Sequence, residues 1–133
     1  MPPGPPVGPF VAKDIEENHV VLTWHPPVVS DKKDLKDIKF KVKYCQKGQT
    51  NWKFSTIWGQ LGSLYLCKVT GLSPGTEYTF SVQAHNSNGL SDPLTMVGFI
   101  KTKEKKGKLS IFTHNLIYFH SPYLLLYRNR LHS

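Results

Sequence analysis

The chain has 133 residues and a formal charge of +8, with ten Gly, ten Pro, two Cys and 12% aromatic residues. That length suits one domain plus additional sequence, and two cysteines exclude a disulfide-dense scaffold. The charge is lopsided: residues 1–102 carry 11 Lys/Arg against 8 Asp/Glu and residues 103–133 carry 6 against 1, which argues against a nucleic-acid surface on the folded part.

Residues 2–9 read PPGPPVGP. Such a run favours an extended polyproline-like backbone and cannot join a sheet interior. We read 1–9 as a Pro/Gly-rich linker or the lead-in to a first edge strand. The interrupting glycines weaken the rival reading of a PxxP ligand. No basic and apolar leader follows Met1, so no secretory signal is expected.

The first alternation comes at residues 19–24. Val20, Leu22 and Trp24 share one parity and face one side of a strand, which Pro26-Pro27 stops. Residues 30–37, SDKKDLKD, read as a charged, solvated loop. Residues 40–44 give the cleanest alternation, with Phe40, Val42 and Tyr44 inward and Lys39, Lys41 and Lys43 outward. Residues 48–51 mark a turn, Trp52 to Phe54 begin a short strand, and Gly59 and Gly62 bracket a further turn. Tyr65, Cys67 and Val69 then alternate with Leu66, Lys68 and Thr70.

Residues 71–77, GLSPGTE, form a corner on the turn dipeptide Pro74-Gly75. Tyr78, Phe80, Val82 and Ala84 then lie on one face of a strand, and residues 86–89, NSNG, make a hairpin turn. A last strand runs from about Thr95 to Thr102, with Gly98 at a bulge. About seven short strands, turn signals at short intervals and no amphipathic helix predict an all-β antiparallel sandwich.

The residues then point to a family. Pro5-Pro6 precede the first strand, V-x-L-x-W-x-P-P spans 20–27, and Tyr44 follows. The stretch G-L-x-P-G-T-E-Y-x-F-x-V-x-A-x-N-x-x-G-x-S-x-P spans 71–93. Together they resemble the fibronectin type III domain, over about residues 5–102. The resemblance implies a seven-stranded immunoglobulin-like sandwich at 10–102, with a structural core of Trp24, Tyr44, Leu72 and Tyr78. Tyr78 stands where the family has its corner tyrosine, whose hydroxyl bonds to nearby backbone. The opening is similar to tandem modules of giant muscle proteins of the titin and twitchin kind, but 31–38 departs from their Gly-rich turn. The resemblance identifies a scaffold and not an activity.

Cys45 follows inward-facing Tyr44 and is expected to face outward; Cys67 shares parity with Tyr65 and is expected to face inward as a small core hydrophobe. In the resembled fold their strands belong to opposite sheets, so no disulfide is expected. Lys39, Lys41, Lys43 and Lys47 form a basic stripe. It is either a contact surface for an acidic partner or polyanion, or a solvated face whose lysines blunt aggregation. The second is the simpler reading. The family resemblance adds hairpin loops as contact sites, here Asn86 and Asn88.

His19, His25, His85, His114 and His120 show no ligand spacing, and no phosphate-cradling loop, nucleophile elbow or paired carboxylates occur. No cofactor, metal or catalysis is expected. The tail, 103–133, opens on the basic KEKKGK and continues with 109–127, which carry no formal charge. That length nearly matches a bilayer span, but His114, Asn115, His120, Ser121 and Pro122 oppose it. We read the tail as a poorly ordered extension outside the sandwich, of the kind an alternative transcript end would leave. A membrane-associated single module anchored by 109–127 is the alternative function. The first reading is a non-catalytic module of a multi-domain protein, with other proteins and neighbouring tandem domains as partners. The compartment stays open between the cytoplasm of a sarcomere-like assembly and the cell surface.

Overall fold

The computed structural model describes residues 1–105, 110–111 and 117–118. Two antiparallel sheets face each other. Their strands are β1 Val7–Lys13, β2 Val20–His25, β3 Lys39–Gln46, β4 Lys53–Ser55, β5 Gly59–Leu61, β6 Leu64–Val69, β7 Glu77–Asn86, β8 Gly89–Leu90, β9 Leu94–Thr95 and β10 Ile100–Lys101. One sheet has the order β1-β2-β6-β5, and the other β10-β7-β3-β4 with β8 and β9 also paired to β7. Ser110–Ile111 and Ile117–Tyr118, β11 and β12, pair with each other as a separate short ladder.

Alternation places the core. Val20, Leu22 and Trp24 are fully buried on β2, and their partners across the ladder are Val69, Cys67 and Tyr65. Phe40 and Val42 on β3 pair with Ala84 and Val82 on β7 and close the core from the opposite sheet. The centre is aromatic. Trp24 meets Phe40 edge-on at 5.3 Å, and Phe40 meets Tyr65 at 4.7 Å. Such ring pairs add about 0.5–1.5 kcal/mol beyond the area they bury.

The corner before β7 holds as the resemblance implied. Leu72 is buried, and Ser73 N–H donates to the Tyr78 hydroxyl at 2.8 Å. Asn18 holds Leu72 from both sides: its carbonyl accepts from Leu72 N–H and its amide donates to Leu72 C=O, each at 2.9 Å. Tyr44 faces inward but is only half-buried, because it lines an open cleft with Gln49, Leu72 and Tyr78.

Several local expectations change. β1 begins at Val7, inside the stretch read as linker, and Pro9 lies within it next to a register shift. An edge strand tolerates proline because one side of its backbone needs no partner. Residues 59–61 were expected in a turn but form β5; only Gly62, at φ +63°, makes the tight reversal. The charged loop contains a 3-10 helix, Lys32–Asp37, whose first N–H groups are capped by the Asp31 carboxylate accepting from Lys33 N–H at 2.9 Å. The last strand is not continuous. Gly98 sits at φ +80° between β9 and β10, and Val97 points into solvent.

Candidate functional site

The outer face of the β7-β3-β4 sheet is the counterpart of the core. Because Phe40 and Val42 point inward, Lys39, Lys41 and Lys43 point outward. The β3–β7 register sets them opposite His85, Gln83 and Ser81. The β3–β4 register sets Phe54 opposite Lys43, and Trp52 has the same parity two residues earlier.

The lysines do not stand straight out. Lys41 Nζ lies 4.4 Å from the centroid of the Phe54 ring, and Lys43 Nζ lies 5.0 Å from that of Trp52. Each ammonium therefore leans across the ladder towards β4, with its stem half-buried against the sheet. A cation over an exposed ring gains about 0.5–1 kcal/mol, enough to bias a flexible side chain towards one position.

The ion pairs lie elsewhere. Lys47 pairs with Glu77 at 3.1 Å, Lys101 with Glu104 at 3.6 Å and Lys103 with Glu16 at 3.4 Å. Among the described residues, no carboxylate pairs with Lys39, Lys41 or Lys43. Their partners on β7, at 85, 83 and 81, are His, Gln and Ser, none of them a carboxylate. The face thus carries positive charge with no internal counter-charge, and its potential is directed to solvent.

Lys47 leaves this set. It belongs to the sequence stripe, but its ammonium is taken by Glu77 and by the Phe99 ring at 5.1 Å. Asn86 and Asn88 leave it as well. Their side-chain amides donate to the Met1 carbonyl at 3.3 and 3.1 Å, and Asn86 Oδ1 accepts from Asn88 N–H at 2.8 Å. The hairpin tip therefore clamps the start of the chain. Trp52 and Phe54 were not read as site residues. The signal was present: two aromatic residues of one parity, on a strand beside a strand of alternating lysines.

Cys45 corrects an expectation. It has the outward parity but is buried, because the turn after β3 folds back over it. Its thiol donates to Gln49 C=O at 3.1 Å. It lines an open cleft of about 310 Å³ with Tyr44, Gln49, Asn51, Leu72 and Tyr78. Cys67 is buried in the core as expected, and both thiols are free, on opposite sheets. Burial pushes the Cys67 thiol above its ordinary value, opposed in part by its contact with the Ser55 hydroxyl at 3.5 Å. Burial, then the charge of Tyr78, then that of Cys67, raise the Tyr44 phenol.

Among the described residues, no group of three or more His, Cys, Asp or Glu gathers in a way that could hold a metal ion. No helix of the described residues is long and apolar enough to cross a membrane. The expectations of a poorly ordered tail and of membrane contact through 109–127 lie, but for the backbone of β11 and β12, outside the described residues.

Comparison with known proteins agrees with the geometry. The model of the fibronectin type III domain matches residues 4–97. The chain is 34% identical over 94 residues to chicken (Gallus gallus) M-protein of striated muscle, covering 68% of this chain and 6% of that protein. It is 33% identical over 103 residues to human (Homo sapiens) Roundabout homolog 2, covering 77% of this chain and 7% of that one. A crystal structure of a stretch of titin domains superposes with a TM-score of 0.56 at 31% identity, covering 77% of this chain and 32% of that one. The chain thus spans a small part of the relatives it matches, and those relatives include both a striated-muscle protein and Roundabout homolog 2.

Proposed function

The chain belongs to the fibronectin type III domain family, and from that premise we propose that it is a non-catalytic protein-binding module of a larger multi-domain protein. Its contact surface is the outer face of the β7-β3-β4 sheet, and its partner presents carboxylates to Lys39, Lys41 and Lys43. The observation that carries this reading is the pair of ammoniums held over exposed rings, Lys41 over Phe54 at 4.4 Å and Lys43 over Trp52 at 5.0 Å, on a face where no ion pair reaches Lys39, Lys41 or Lys43 among the described residues. Neighbouring domains of the same chain are the other partners, as in the multi-domain relatives.

The test uses poly-glutamate as an acidic probe, titrated into the labelled chain and followed by NMR. The reading expects salt-sensitive shifts at residues 39–43 and 52–54, lost when the three lysines are replaced by Gln. Shifts spread evenly over all lysines, the paired ones included, would overturn it.

A further inference from the structure

We propose that the outer edge of β4 is a strand-addition site for an extended acidic segment carrying carboxylates at alternate positions. The proposal rests on the lysine-face reading above and names the form its partner takes.

β4 ends its sheet. One edge pairs with β3 through Lys53, Phe54 and Ser55, and no strand among the described residues pairs with the other. An open edge is a template for another strand, and proteins usually blunt it with charge or proline. Exposed apolar side chains flank this edge as well as charge: Phe54 on β4 is 55% exposed, and Trp52 just before it and Ile57 just after it are 39% and 80% exposed. A strand laid there would pair its backbone with β4 and set its outward side chains beside Trp52 and Phe54.

The charges fit the same register. Trp52 and Phe54 are two residues apart, so outward positions on an added strand repeat with the same step of about 6.6–6.8 Å. Lys43 and Lys41, reaching across from β3, each hold an ammonium over one of those two rings, 5.0 and 4.4 Å from its centroid. Carboxylates at positions i and i+2 of the added segment would each meet one ammonium. A second copy of this chain fits poorly, because pairing β4 with itself brings the Lys41 and Lys43 ammoniums of both copies, which lean over β4, to one face of the seam. A sulfated polysaccharide offers the charge but no backbone N–H and C=O to extend the sheet.

The experiment uses the full chain, isotopically labelled, and a short synthetic peptide alternating Glu with Thr. Two control peptides have the same sequence with alternate backbone amides N-methylated, one in each parity. Strand addition expects amide shifts at 52–55, slower hydrogen exchange for β4 amides, and loss of binding for one parity of N-methylation only. Replacing Lys41 or Lys43 by Gln should weaken the peptide by up to about fivefold each at low salt. Equal binding by both N-methylated peptides, unchanged β4 exchange at saturation, or β4 shifts that depend on the concentration of the chain alone would each overturn strand addition. Lysine-face shifts with poly-glutamate in those cases leave the broader reading standing. The absence of shifts with either probe overturns both.

Discussion

At the corner between β6 and β7, the Tyr78 hydroxyl accepts the Ser73 N–H at 2.8 Å. Replacing Tyr78 by Phe keeps the ring packing and leaves that N–H without its partner. A lost bond of this kind costs about 1–2 kcal/mol, so the urea midpoint of Tyr78→Phe should fall with an unchanged slope. A change under a few tenths would mean water replaces the hydroxyl. Trp24 presents the opposite balance. Its indole N–H is buried with no acceptor among the described residues. An unmade bond costs about 1–3 kcal/mol, while truncating a buried Trp to Ala costs about 3–5, so the ring is worth keeping despite its orphan donor. Cys67 adds a pH dependence. Its thiol is raised above the ordinary 9.0, so the thiolate is disfavoured in the folded chain. Between the two values the folded state holds the proton and the unfolded state releases it. Its contribution to stability is therefore full below the ordinary thiol range and is lost as pH rises through the folded value. Unfolding measured from neutral to alkaline pH should show a decline that is shallower in Cys67→Ala. An identical slope in both would assign the decline to other groups, with Tyr44 the first to examine.

The elements differ in how plainly they were written. β2, β3 and β7 follow from strict alternation, because each has one face buried against the opposite sheet and a single slip would expose it. The corner at 71–77 was equally plain, since Leu72 and Tyr78 have specific backbone partners. The short edge elements were not. β5 has three residues, none of them buried, so no burial pattern marked it. The 3-10 helix hides in a run of charges, anchored by Leu35 alone. Cys45 was misplaced because parity describes a strand and not the turn that folds over it. The lysine stripe was legible, whereas its relation to Trp52 and Phe54 depends on the β3–β4 register. The break between β9 and β10 is the element most open to test. Nothing lies within 4 Å of a Cβ built on Gly98, so substitution there meets only the backbone cost of φ +80°. Gly98→Ala should destabilise by about 1 kcal/mol. A neutral result would show that the break can relax into an ordinary bulge.

At the scale of the whole molecule, the question is where the cooperative unit closes. The family match ends at residue 97, yet the structure continues to use the chain beyond it. Ile100 pairs with Tyr78 and packs against the core. Thr102 is buried; its hydroxyl donates to Ser73 C=O at 2.6 Å and accepts Thr76 N–H at 3.0 Å. Lys103 N–H then donates to Glu16 C=O at 3.1 Å, and its own carbonyl accepts Gly75 N–H at 2.9 Å, tying the corner to the segment between β1 and β2. Burial of one aliphatic side chain contributes about 1.5–3 kcal/mol, and each of the hydrogen bonds about 1. Shortening the chain to residues 1–97 should therefore cost at least about 3 kcal/mol relative to 1–105, a large part of a small domain's stability. Urea unfolding of the two forms, followed by Trp fluorescence, measures the difference directly. If 1–97 unfolds at the same midpoint, β10 and the Thr102 contacts are peripheral, and the unit closes at β9. If it is lower by the expected amount or fails to fold, residues 98–103 complete the sandwich by locking the Tyr78 corner, and any tandem neighbour must be joined beyond them.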